Sequence, residues 1–354
     1  MKFSNTLLVL PFLLLLLPLF SSFPHAAKKA GAKNSYLVYI GTYTGPKSKG
    51  IYVFHFDEAG HVSAPQLAGE TVNPSFLAVD PTEHFLYAVN EISDYQGQKS
   101  GAVSAFSVDS KTGSLVFLNQ VSSRGADPCY VTLDKTGKYV LVANYTSGTV
   151  AVFPRLPDGK LGDASTAVQH AGHGPNAERQ EGPHAHQIVL SKDNRFAVAV
   201  DLGLDKLLVY RFDSQKGTLT PNDPPSAALD PGSGPRHLAF TPDGNFAYVL
   251  AEMGSTITAF AFDSSKGVLR KLQTLSTLPK GFKGQNDAAE IAVSPSGKFV
   301  YASNHGDDSI AVFAIGADGS LTLVERTPTQ GKTPRGFAID PVLIYWWAIK
   351  LPTT

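Results

Sequence analysis

Five side chains in this chain of 354 residues combine a reactive type with a setting that fixes where it points. His184 and His186 stand one residue apart in G-P-H-A-H, at the end of the Gly- and Pro-containing stretch GPNAERQEGPHAH. Arg236 and Arg335 each follow a proline, in G-P-R and T-P-R, and a backbone held by proline that aims two guanidiniums into one space suits bidentate recognition of an anion. Glu252 follows the end of a second strand of a repeat, where no turn chemistry asks for a carboxylate. A histidine or carboxylate tuned toward the working pH can act as a general base, so the set suits proton transfer beside an anion or a developing oxyanion. Asn144, Asn304 and His305 fall at neighbouring phases and join the candidates as ligand-binding groups.

Plainer roles stand beside these. The recurring Asn90, Asn144 and Asn304, with Asp201 at the same phase, suit side chains that bond nearby backbone at a turn. A His-x-His pair with no third ligand at a recognisable spacing makes no metal site, so no metal is expected. Cys129 is the single cysteine and has no evident base beside it, which reads as a buried spectator. No G-x-S-x-G elbow, H-E-x-x-H, phosphate loop or dinucleotide fingerprint occurs, and no cofactor is expected.

The elements that must hold these residues are repeats. One phrase, an apolar strand, a turn of the D-P-x-G or S-P-S-G type and a second apolar strand, begins at Pro74, Pro128, Ala185, Pro235, Ala288 and Pro334. The steps between starts are 54, 57, 50, 53 and 46 residues. A third strand with period-two alternation follows, as in Thr256-ITAFAFD, then a Gly-containing turn and a fourth strand. Four short antiparallel strands per unit of about 50 residues make a β-propeller blade, so the chain is expected to be all-β. First-strand starts and second-strand ends lie at the same rim, which gathers Ser75, Cys129, His186, Arg236, Ala289 and Arg335 with Glu91, Tyr145, Asp201, Glu252 and His305 at the mouth of a central channel.

Composition narrows the partners. Thirty Lys or Arg balance thirty Asp or Glu, which argues against nucleic acid as a partner. A hydrophobic content of 43% excludes disorder, while 32 Gly and 24 Pro disfavour a helical bundle. Lys2, the apolar run Leu7 to Phe20 and the small residues after it read as a signal peptide over 1–27. The protein is therefore expected to be periplasmic or secreted, monomeric, and free of the membrane after cleavage. The propeller is assigned to 36–341 and an out-of-pattern tail to 342–354. Tyr36 onward supplies three strands of a blade without its first strand, and Pro334 onward supplies only a first strand. That fits a seven-bladed type with a truncated last blade, or a six-bladed ring closed by Phe337 to Asp340. An open ring would expose strand edges.

The phrases IGTYTG, GPHAHQ, GPRHLAF-TPDG, AAEIAVSPSGKFVYASN and GKTPRGFAIDP resemble the seven-bladed propeller lactonase family, of the 6-phosphogluconolactonase and carboxymuconate-lactonizing type, over Tyr36 to Pro341. The resemblance implies hydrolysis of a small-molecule sugar lactone at the channel mouth. Arg236 and Arg335 would hold the anionic group and the oxyanion, and His186 or Glu252 would take a proton from water, with His184 beside them. The family's second arginine falls in S-N-R-G, where this chain has His305 in S-N-H-G, which argues against a doubly charged substrate. The leader also suits an unphosphorylated lactone outside the cytosol. The competing reading is an exported propeller that binds a ligand, glycan or protein without turnover, or an inactive truncated lactonase.

Overall fold

The structure, a computed structural model, describes residues 35–57, 59–339 and 346–350. The signal peptide read over 1–27 lies outside the described residues, as do parts of the 342–354 tail. Every regular element among the described residues is a β-strand. The first sheet comprises β1 (Ser35–Ile40), β2 (Gly50–Asp57) and β3 (Gln66–Glu70). Five four-stranded antiparallel sheets follow. They are β4 (Leu77–Val79), β5 (Phe85–Asn90), β6 (Ala102–Val108) and β7 (Leu115–Ser122); then β8 (Pro128–Leu133), β9 (Tyr139–Asn144), β10 (Thr149–Pro154) and β11 (Thr166–Gln169). Next come β12 (Ala185–Leu190), β13 (Phe196–Asp201), β14 (Lys206–Asp213) and β15 (Thr218–Ala228); and β16 (Pro235–Phe240), β17 (Phe246–Ala251), β18 (Thr256–Asp263) and β19 (Val268–Ser276). The fifth is β20 (Asp287–Val293), β21 (Phe299–His305), β22 (Ser309–Ile315) and β23 (Leu321–Pro328). A two-stranded sheet of β24 (Pro334–Ile339) and β25 (Trp346–Lys350) ends the series.

This is the expected propeller, with five four-stranded blades between a three-stranded and a two-stranded sheet among the described residues. The six-bladed closure would pair β24 with β1; among the described residues β24 pairs instead with β25 and opens a sheet of its own. β25 falls within the segment read as out of pattern, yet it takes the second-strand position, with Pro334 opposite Lys350.

Sheet-on-sheet packing explains the strand sequences. One buried cluster joins Leu141, Val150 and Val152 of one blade to Ile188, Ala197 and Tyr210 of the next; another joins Val198 and Leu207 to Leu238, Val249 and Phe260. A second strand such as β9 is covered on both faces, so YVLVAN is a continuous apolar run rather than an alternation. Burying each Val, Leu, Ile or Phe contributes about 1.5–3 kcal/mol, and Phe260→Ala would forfeit about 3–5 kcal/mol. The first-to-second strand turns are tied by their own polar residues: Asp80 accepts bonds from the N–H groups of Thr82, His84 and Phe85 at 3.1, 2.9 and 2.8 Å.

The register carries the feature that matters for the site. The first strand of a blade slips by one residue against the second between 128 and 130, 185 and 187, 235 and 237, and 334 and 336. The residues inserted by these bulges are Cys129, His186, Arg236 and Arg335. In β20 the irregular stretch holds Ala289 and Glu290. A bulge releases its extra residue from the ladder and re-aims its side chain, here toward the channel.

Candidate active site

Two adjoining hollows share Glu91, Cys129 and Arg335. One, of about 230 Å³, is completed by Tyr145, Arg179, His186 and Glu252. The other, of about 200 Å³, is lined among others by Tyr43, Ser75, Arg236, His237 and Glu290. The expected residues His186, Arg236, Glu252 and Arg335 thus converge, because bulged first-strand starts face a second-strand end around one axis.

Glu252 is the centre of the charge arrangement. Its backbone is fixed from both sides: its N–H donates to Gly234 O at 2.8 Å and its carbonyl accepts from Ala288 N at 3.1 Å. Oε1 accepts from Arg179 Nη2 at 2.6 Å, and Oε2 lies 3.1 Å from Arg236 Nε and 3.8 Å from His186 Nε2. Burial pushes this carboxyl up, but Arg236, followed by Arg179, outweighs burial and holds it below its ordinary range. Glu252 is therefore a carboxylate at neutral pH.

Arg236 is buried; its Nη1 donates to Ala289 O and lies against the His237 ring, 3.2 Å from Nδ1. Burial, then the charge of Arg335, draws its pKa below the usual arginine value. His186 is buried and stays neutral, since burial, then Arg236, His237 and Arg335, hold its pKa well below 6.5. Its Nδ1 lies 3.7 Å from Cys129 Sγ. Burial pushes the Cys129 thiol far up, so the sulfur is a protonated neighbour rather than a nucleophile. Arg335 donates to Tyr43 OH at 3.4 Å, and Tyr43 OH donates to Glu91 Oε2 at 2.7 Å. No carboxylate among the described residues lies within ion-pair distance of Arg335, so its charge faces the hollows.

Several lining groups were not legible as site residues. His237 and Glu290 form a buried pair, Nδ1 to Oε1 at 2.9 Å. Burial, with Arg236 nearby, holds His237 below its usual value despite Glu290; burial pushes Glu290 up, but His237 overrides it and leaves the carboxyl lowered. Strict period-two alternation places both on the far face, and the bulges undo that alternation. Ser75 was gathered at the rim and lines the Arg236 hollow with its buried Oγ unpartnered, an unmet hydrogen bond available to a ligand. Arg179 arrives from the long connection between β11 and β12, and only that connection's length marked it in the sequence.

Four other expected residues do not line these two hollows. Asn144 is fully buried and donates to Ser123 O at 3.0 Å and Thr149 Oγ1 at 2.9 Å. Asn304 is equally buried and donates to Thr277 O at 3.1 Å and Ser309 Oγ at 3.2 Å, while its Oδ1 accepts from Thr277 Oγ1 at 2.7 Å. These asparagines tie the second strand to the end of a fourth strand. His184 stacks on Tyr145 with ring centroids 4.6 Å apart and bonds Tyr145 O through Nδ1 at 3.1 Å, behind the lining. His305 lies opposite Asp287 in the ladder, at the rim.

Known proteins with the same build settle the family. The family described as "Lactonase, 7-bladed beta-propeller" matches residues 37–344. The chain belongs to that family. It is 41% identical over 308 residues to a protein of Bacillus subtilis named 6-phosphogluconolactonase, covering 86% of this chain and 85% of the relative. Among solved structures, a periplasmic gluconolactonase of Pseudomonas aeruginosa matches this lactonase-family chain with a TM-score of 0.82 and 36% identity, covering 88% of each chain. A putative 6-phosphogluconolactonase of Bacteroides fragilis matches with a TM-score of 0.81 and 38% identity, over 88% of this chain and 86% of that one.

Proposed function

We propose that the chain hydrolyses a sugar lactone in the hollows around Glu252, Arg236 and Arg335. The observation that carries the reading is one ionised carboxylate shared by two guanidiniums, with a third guanidinium beside it that has no carboxylate within ion-pair distance among the described residues. Water attacks the lactone carbonyl as Glu252 takes one of its protons; the new C–O bond pushes the carbonyl electrons onto oxygen. The negative charge thereby moves from Glu252 to the oxyanion while Arg236 stays beside both, and Arg335 adds a second cation. Collapse of the tetrahedral species breaks the ring C–O bond, and the departing alkoxide recovers the proton from Glu252. The product is the open hydroxy acid and the carboxylate is restored. His186, neutral and 3.8 Å from Glu252, offers its ring nitrogen to the water without adding a charge that would compete with the carboxylate.

Residues 1–27 are read as an export leader, so the expected setting is periplasmic or secreted, and the chain is taken as a monomer. The test is turnover of glucono-δ-lactone and 6-phosphogluconolactone, above their spontaneous hydrolysis, by purified protein starting near Lys28. Saturable binding without turnover by folded protein would overturn the reading in favour of a binding module.

A further inference from the structure

The connection between β11 and β12, residues 170–184, belongs to the longest step of the repeat and is anchored more firmly than a surface loop requires. Asp201 holds both of its ends: Oδ2 pairs with His170 Nδ1 at 2.6 Å, and Oδ1 accepts from His184 N at 2.9 Å. Gln180, fully buried, donates to Leu202 O at 2.8 Å and accepts from Asn176 N at 3.2 Å. A side chain at Gly203 would collide with Gly182 O, so the backbone of the connection is seated directly on the turn after β13. The arrangement delivers one functional side chain. Arg179 reaches Glu252, just after β17, and donates to Tyr145 OH at 3.4 Å.

Every side-chain hydrogen bond of Arg179 runs through Nη2, leaving Nε and Nη1 without a protein partner among the described residues. The side chain is 41% exposed, against 5% for Arg236. Arg236 spends Nε on Glu252 and Nη1 on Ala289 O inside the wall, whereas Arg179 stands at the opening with Nε and Nη1 to spare among the described residues. We propose that Arg179 is the specificity-determining residue for the lactonase reading above: it receives an anionic group, phosphate or carboxylate, carried by the substrate away from the lactone carbonyl, while keeping its bond to Glu252.

This arrangement couples recognition to chemistry. An anion on Arg179 offsets one of the cations that hold Glu252 down, which strengthens Glu252 as a proton acceptor. By linkage, a Glu252 that has taken a proton from water lets Arg179 hold the anion more tightly, so the anion is bound better in the transition state than in the ground state. The other charged or titratable groups facing Glu252 are Arg236 of β16, His186 of β12, Arg335 of β24, Cys129 of β8, Tyr145 after β9 and Glu91 after β5.

The experiment compares 6-phosphogluconolactone with glucono-δ-lactone in wild type, Arg179→Met and Arg179→Lys. Wild type should favour the phosphorylated lactone, against the expectation drawn from His305 and the leader, because Arg179 supplies a cation at the opening, and part of the preference should lie in kcat. Arg179→Met should shrink the ratio of the two kcat/KM values by about 10- to 100-fold, the range of a hydrogen bond to a charged group, with Arg179→Lys intermediate. The acidic limb of the pH profile for glucono-δ-lactone should move to higher pH in Arg179→Met, a change that loosened structure alone would not give. An unchanged ratio in folded Arg179→Met, or a wild type indifferent to the phosphate, overturns the proposal. If folded wild type turns over neither lactone, the hydrolase reading fails by itself, and titration with inorganic phosphate then decides the role of Arg179: weaker binding in Arg179→Met supports it, and equal binding overturns it.

Discussion

Replacing Glu252 by Gln keeps the shape of the side chain and removes its charge. In the structure that charge sits 3.1 Å from Arg236 Nε and 2.6 Å from Arg179 Nη2. At an effective dielectric of about 20 the attraction to Arg236 alone is about 5 kcal/mol before desolvation is subtracted. Removing one partner of a buried pair leaves the other uncompensated and costs about 3–5 kcal/mol; the amide oxygen can still accept a hydrogen bond, so about 3 kcal/mol is expected here. For a unit of this size that corresponds to a fall in Tm of about 5 °C. The barrier should rise independently. Loss of the proton acceptor is worth about 10²- to 10⁴-fold in kcat, or about 3–5 kcal/mol, while KM for an anionic lactone should fall because the opening gains a net positive charge. The assay is acid release in a pH-stat at 25 °C, with circular dichroism on the same samples. A folded Glu252→Gln whose kcat stays within about threefold of wild type would refute Glu252 as the base, and an unchanged Tm would refute the buried ion-pair energetics.

Other expectations can be checked with the same protein. His186→Asn should lower kcat less than Glu252→Gln does, by about 10-fold, and a larger loss than that of Glu252→Gln would transfer the role of base to His186. In wild type, kcat/KM should stay level between about pH 6.5 and 8 and fall only in acid, because His186 and His237 remain neutral there and Glu252 titrates below its ordinary range. Stability should also fall with acid: both histidines bind protons more weakly folded than unfolded, so the unfolded state gains protons as pH drops below about 6.5. Tm should therefore decline between about pH 7 and 5, less steeply in His186→Asn, and a Tm that rises over that interval would contradict the sign. Asn304→Ala removes two hydrogen bonds to Thr277 in a fully buried place, while Arg326 Nε still donates to Thr277 O at 2.7 Å and Ser255 O still accepts from Thr277 Oγ1 at 2.9 Å; it should cost about 1–2 kcal/mol by denaturant titration, an expectation a loss under about 0.5 kcal/mol would defeat.

The blades were legible because the repeat states its own period, and the phase of that period picked out Cys129, His186, Arg236 and Arg335 at first-strand starts and Glu252 at a second-strand end. What phase alone could not supply was distance. It placed Asn144 and Asn304 at the rim by the same logic, although their short amides are consumed by the neighbouring fourth-strand ends. His237 and Glu290 were hidden because alternation is counted from the ladder, and the ladder slips just before them. Arg179 belongs to no repeat position; its place depends on how Asp201, Gln180 and Gly203 fold a connection, and nothing periodic announces that. Asp201 itself looked like one more turn residue, yet a carboxylate there can hold a histidine and a backbone N–H together, one on each oxygen.

The slipped residue at the start of a first strand belongs neither to the hydrogen-bonded ladder nor to the apolar layer between sheets. Its side chain is therefore under fewer architectural demands than its neighbours, and the demands it does meet come from across the axis. The slipped first strands work as a set of sockets whose contents can be exchanged without rewriting the frame. In this chain they hold a thiol at 129, an imidazole at 186 and guanidiniums at 236 and 335. Divergence in reaction among chains built this way should accumulate at those positions, and a new activity could be installed there while the packed layers such as Val198, Val249 and Phe260 are left as they are.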